Sequence, residues 1–86
     1  MSKRLRWKDT DFGQEEADAS PFRYILWSND EHAELRIIRK DNIGGILVPI
    51  SDFSVYARDR KAAKKLASEV NRAFYKARHY NRLVTL

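Results

Sequence analysis

The chain predicts an α+β fold, a three-stranded antiparallel β-meander packed against one long C-terminal α-helix. Two observations carry this prediction. Residues 22–50 hold three short apolar runs separated by polar or glycine-containing turns, and residues 59–80 repeat apolar side chains at spacings of three and four. The 86 residues suffice for one domain, here 21–86, preceded by a charged, flexible extension over 1–20.

The extension opens basic (Lys3, Arg4, Arg6, Lys8) and turns acidic (Asp9, Asp11, Glu15, Glu16, Asp18). Only Leu5, Trp7 and Phe12 are equipped to dock on a core, and residues 14–19 read at most as one helical turn ended by Ser20-Pro21. The sharper alternative is an arm that orders on a partner, or whose acids lie over the basic helix.

The first strand is FRYILWS, residues 22–28, rich in aromatic and β-branched types. A polar turn at 28–32 leads to a second strand, 33–40. There Ala33, Leu35 and Ile37 alternate with Glu34, Arg36, Ile38 and Lys40, as a half-buried strand requires. Asp41 to Gly45 form a turn, and ILVPI (46–50) a third strand that puts Ile46, Val48 and Ile50 on the core. Pro49 has no N–H for a ladder, so this strand belongs at an edge. A break in phase is expected at Ser51-Asp52, after which 51–56 would be a linker packing Phe53 or Tyr56 beneath the helix.

The helix is expected from an Asp59 N-cap to about Tyr80. Ala62, Leu66, Val70, Ala73, Ala77 and Tyr80 form its apolar stripe, widened by Ala63, Ala67 and Phe74.

Charge is concentrated on the other side of that helix. Residues 58–82 contain nine Lys or Arg and two acids, a local +7 in a chain of net charge +5. Projected at 100° per residue, Arg60, Lys61, Lys64, Lys65, Arg72, Lys76 and Arg78 all lie roughly 80° or more from the apolar stripe. Acids that would pair with them at i,i+4 are nearly absent, and basic residues at the helix start, Arg58 and Arg60 among them, oppose the helix dipole. A phosphate or acidic group at that end would relieve the mismatch. The reading is a small non-catalytic binding protein whose partner is DNA or RNA, held by Arg58, Arg60, Lys61, Lys64, Lys65, Arg72, Lys76 and Arg78. Arg36, Lys40 and Trp27 would add contacts from the outer sheet face, with Trp27 stacking on a base.

The strand-strand-strand-helix order resembles that of a plant class of DNA-binding domain and of phage integrase arm-binding domains. In those the sheet enters the major groove, which implies Arg36, Ile38 and Lys40 as readers; the chain lacks the Trp and Gly pattern of the plant class. KAAKKLA (61–67) resembles the start of the last helix of double-stranded-RNA-binding domains, although the first helix and the Gly-rich run of that family are missing.

The alternative is an inhibitor or adaptor, of the sort phages and mobile elements encode, that occupies an acidic or nucleic-acid-binding surface of a partner enzyme. Phe74, Tyr75 and Tyr80 beside Arg78 have the composition of an interface hot spot, and they would equally suit a homodimer seam. Enzymatic chemistry and cofactors are not expected. There are no cysteines, His32 and His79 lie in polar surroundings without a fixed second shell, and Gly44-Gly45 is only a turn. No apolar run spans a membrane, the N-terminus lacks the apolar core of a secretory signal, and the helix's apolar stripe is needed by the sheet. The expected setting is cytoplasmic, or nuclear in a eukaryote.

Overall fold

The computed structural model describes residues 4–10 and 12–84, with side chains through Lys76. Its elements in order are β1 (Lys8–Asp9), β2 (Glu15–Ala19), β3 (Phe22–Ser28), β4 (Ala33–Ile43), β5 (Ile46–Ala57) and α1 (Arg60–Val84). The strands form one antiparallel sheet in sequence order, and the helix lies across one of its faces against β3, β4 and β5. The α+β layout stands, but the sheet has five strands, not three. The two additional strands come from residues expected to be a flexible extension, and Ser20-Pro21 is the turn between β2 and β3 rather than a domain boundary.

Strand β2 was hidden because Glu and Ala have low strand propensity. Its pairing with β3 is decided by small residues on one face: Ala17 sits opposite Tyr24 and Ala19 opposite Phe22, and both alanines are buried. Leu5 and Trp7 also pack on the core, with the Trp7 ring 6.5 Å from that of Tyr24, whereas Phe12 stays exposed.

The core is a single layer between sheet and helix. Tyr24, Leu26, Ala33, Leu35 and Ile37 point up from the sheet, and Ala63 and Ala67 point down from the helix. Asp59 caps the helix as expected: its carboxylate accepts the Ala62 N–H at 2.8 Å and its carbonyl the Ala63 N–H at 3.0 Å. The face the helix buries is rotated from the expected one. Ala63, Ala67 and Asn71 are buried, Leu66 and Val70 form a half-buried shoulder, and Ala73 is exposed. Side chains no larger than methyl groups let the rod approach the bulky Tyr24 and Ile37, so the line of closest contact follows the alanines rather than the leucine.

The hairpin β4–β5 also departs from expectation. Residues 51–57 continue β5 instead of forming a linker. The break in phase occurs inside the strand, as a bulge: Arg39 pairs with Ser51 and Lys40 with Pro49, leaving Ile50 without an opposite number. Phe53, Val55 and Ala57 thereby pair with Ile37, Leu35 and Ala33 on the helix side. Beyond the bulge β4 has lost β3 as a neighbour, and 40–49 projects as a two-stranded ribbon. It closes at Gly44 and Gly45, whose φ of 62° and 85° suit a two-residue hairpin turn. Ile46 and Ile50, expected in the core, are exposed there, and Val48 is half-buried.

Candidate nucleic-acid interface

The cations of the helix separate into three groups. Arg60 and Lys64, one turn apart, face inward. The Arg60 guanidinium donates from Nη1 to Glu15 Oε2 and the Lys64 ammonium to Glu15 Oε1, each at 2.9 Å, and Arg60 Nε donates to Ser28 Oγ at 2.9 Å. Glu15 itself is buried. The expectation that Arg60 and Lys64 belong to an outward-facing unit is therefore corrected. They neutralise the one carboxylate that β2 brings under the helix, and the Lys64 Nζ also lies 5.7 Å from the Trp7 ring centre. Glu15 is the key residue that composition alone did not single out. Its signal was the alternation Glu15, Ala17, Ala19 on one side of a short strand.

The second group stands at the helix start. Arg58 is exposed, with its Nε 3.5 Å from the Asp59 carboxylate. The Ala62 N–H, followed by the Arg58 and Lys61 charges, holds the Asp59 carboxyl below the usual carboxylate range. The expected anion site at the helix N-terminus is thus filled by the chain's own carboxylate.

Lys61, Lys65, Arg72 and Lys76 form the third group, and all four are exposed. At 100° and 1.5 Å per residue they fall within an arc of roughly 60° and extend over about 22 Å of the axis, on the side away from the sheet. No ion pair joins any of them to a carboxylate among the described residues. Glu69 is exposed at the flank of the stripe. The side chains of Arg78, His79, Tyr80 and Arg82 lie outside the described residues.

The outer sheet face is different. Register places Lys8, Arg23, Arg36 and Lys40 on it, together with Glu16, Asp18, Glu34 and Asp52. Four positive and four negative charges cancel. Arg23 donates to Glu16 at 2.7 Å and lies 3.8 Å from Asp18. Arg36 makes a forked hydrogen bond to Asp52, with Nε to Oδ1 at 2.8 Å, which holds the Asp52 carboxyl below its usual range. Lys40 sits at the base of the ribbon, where its backbone N–H donates to the Pro21 carbonyl at 2.8 Å. Trp27 lines a shallow groove of about 370 Å³ with Gln14, Ile25, Glu34 and Arg36. Its ring lies 6.2 Å from His32, which is itself 5.5 Å from Tyr56. His32 is thus half-buried between two aromatics rather than free in a turn.

Phe74, expected in an interface cluster, is committed to the fold. It packs edge-on against Phe22 at 4.9 Å, beneath the Arg39 guanidinium at 5.6 Å.

Comparison with family models, with curated proteins and with solved structures finds no match for this chain. The chemistry must be read from the two faces alone. One is a line of four exposed cations on a rigid rod with the acid Glu69 beside it, and the other is a charge-balanced sheet. Among the described residues there is no group of three His, Asp or Glu placed to hold a metal ion, and no helix long and apolar enough to cross a membrane.

Proposed function

We propose that the chain is a non-catalytic binding protein that holds the phosphate backbone of DNA or RNA on the outer face of its helix, through Lys61, Lys65, Arg72 and Lys76. One observation supports this above the others: among the described residues these four cations are aligned, exposed and joined to no carboxylate by an ion pair, whereas Arg60 and Lys64 share Glu15 and Arg58 lies beside Asp59. A row of like charges is unfavourable in isolation and becomes favourable when counterions are exchanged for phosphates. The outer sheet face is a poorer surface for a polyanion, because Arg23 and Arg36 are tied to carboxylates. Contacts of this kind read backbone rather than sequence, so binding should depend strongly on salt and weakly on base composition. The reading places the chain where nucleic acid is, in the cytoplasm or a nucleus.

The test is a salt titration of duplex binding. Four phosphate contacts give a log–log slope of about −3.6. Replacing Lys65 and Arg72 with Gln should shallow it by about 2, while Arg36→Gln should leave it unchanged. An absence of binding to duplex and single strands at low salt would end this reading and favour an acidic protein surface as the partner of the same stripe.

A further inference from the structure

The distal ribbon of β4 and β5 carries a second surface, unrelated to the cationic stripe. From Asn42 to Ser51 there are ten consecutive residues without a charge, in a chain that is 34% charged. The fold leaves this segment bare. Ile43 is 57% exposed, Ile46 68%, Leu47 65% and Ile50 47%, and Phe53 continues the patch at 50%. β5 is also an edge strand of 12 residues, and no strand pairs with its outer side among the described residues. Exposed edges are ordinarily protected by charge, proline or a bulge. Pro49 and the bulge at Ile50 interrupt the backbone edge of β5, so the side chains of the ribbon rather than its ladder groups offer the contact. The only charged residue in β5 is Asp52, and Arg36 holds it.

We propose that this ribbon is a self-association surface, on which the ribbon of a second copy of the chain packs about a twofold axis. Charge selects the occupant. Two copies carrying +5 each repel one another wherever cations are displayed, and this long strip displays none. An acidic partner would find nothing here to pair with. A membrane surface calls for cations around the apolar tip, and the charges at the ribbon's base, Arg39 and Lys40 against Asp41 and Asp52, cancel. A second copy presents the same neutral, apolar strip, as an isologous contact requires. The area fits a weak association. The five exposed side chains stand on both faces of the ribbon and present at most roughly 500 Å² per copy, so a twofold contact buries less than about 1,000 Å², the range of transient contacts. The proposal is independent of any role for the helix stripe.

Sedimentation equilibrium on the full chain, free of nucleic acid and in high salt, tests it over concentrations from about 5 μM to about 500 μM. The chain should pass from monomer to dimer across that range. Leu47→Lys should raise the dissociation constant at least about tenfold, because it buries a charge at the contact. Lys65→Gln with Arg72→Gln should dimerise like the unaltered chain. Circular dichroism monitors folding of each variant, and amide exchange of the unaltered chain gives a readout that needs no substitution: protection at 46–50 should rise with concentration. A monomer at every concentration, protection at 46–50 that does not change, or a folded Leu47→Lys that dimerises as before would each overturn the proposal. So would a monomer that binds lipid vesicles through the ribbon.

Discussion

Leu35 and Leu47 stand on the two strands of one hairpin, yet Leu35 is fully buried and Leu47 is 65% exposed. Their strands are continuous and antiparallel throughout, and the apolar content of the two halves is similar. The difference lies in what covers them. Around Leu35, β3 lies alongside β4 and the helix rests on top; beyond the bulge at Ile50 the ribbon has neither third strand nor helix face over it. An apolar side chain becomes core only when a second layer reaches it. The distal half therefore keeps the composition of an interior while serving as surface.

The largest expected effect separates those two leucines. Leu35→Ala should lower unfolding stability by about 3 kcal/mol through the cavity it leaves, whereas Leu47→Ala should change the monomer by less than about 0.5 kcal/mol, both read from urea unfolding at low concentration. Comparable losses at the two positions would mean that the ribbon is covered within the monomer.

A somewhat smaller effect concerns Tyr24, at the centre of the covered half. Its hydroxyl is buried without a hydrogen-bond partner among the described residues, and burial, helped by the nearby Tyr75, pushes its pKa up to about 12. A phenol whose folded pKa lies above its unfolded value near 10 holds its proton more tightly in the folded state. Its contribution is complete below pH 10 and is lost as pH rises through 12, a loss on the order of 2 kcal/mol. Tyr24→Phe should remove that alkaline loss and leave neutral-pH stability nearly unchanged, since the hydroxyl it deletes is unpartnered. Denaturant midpoints between pH 8 and 12 decide the matter. A Phe variant with the same alkaline fall would remove Tyr24 from the account.

The smallest effect tests how firmly the helix is held down at its start. Glu15→Gln keeps the shape of the side chain but deletes the charge that Arg60 and Lys64 share. Both cations are over a third exposed, so solvent screens much of the loss and about 1 kcal/mol is expected in thermal unfolding. The same variant releases two cations and should tighten binding of a polyanion, a gain readable in the salt titration. Weaker polyanion binding by a folded Glu15→Gln would mean that Glu15 orders the binding surface rather than masking part of it.

Much of the fold was legible along the chain. Strand 22–28, the alternation from Ala33 to Lys40, the glycine turn and the Asp59 cap all follow from neighbours within a few residues of one another, and such signals are complete within a local window. Helical spacing aligned Lys61, Lys65, Arg72 and Lys76, but it grouped Arg60, Lys64 and Arg78 with them and could not separate the sets. Strand β2 was not legible, because Ala17 and Ala19 acquire meaning only opposite Tyr24 and Phe22. Nor was the fate of Arg60 and Lys64, which depends on a carboxylate 45 and 49 residues away.

Composition and periodicity thus settled that this chain builds a sheet and a basic rod, since backbone preference and side-chain spacing act between near neighbours. Which face of the rod is buried, which cations remain available and which half of a hairpin is left uncovered were decided only when distant segments met. Close packing, charge pairing and burial are properties of two surfaces in contact, and neither surface carries them alone.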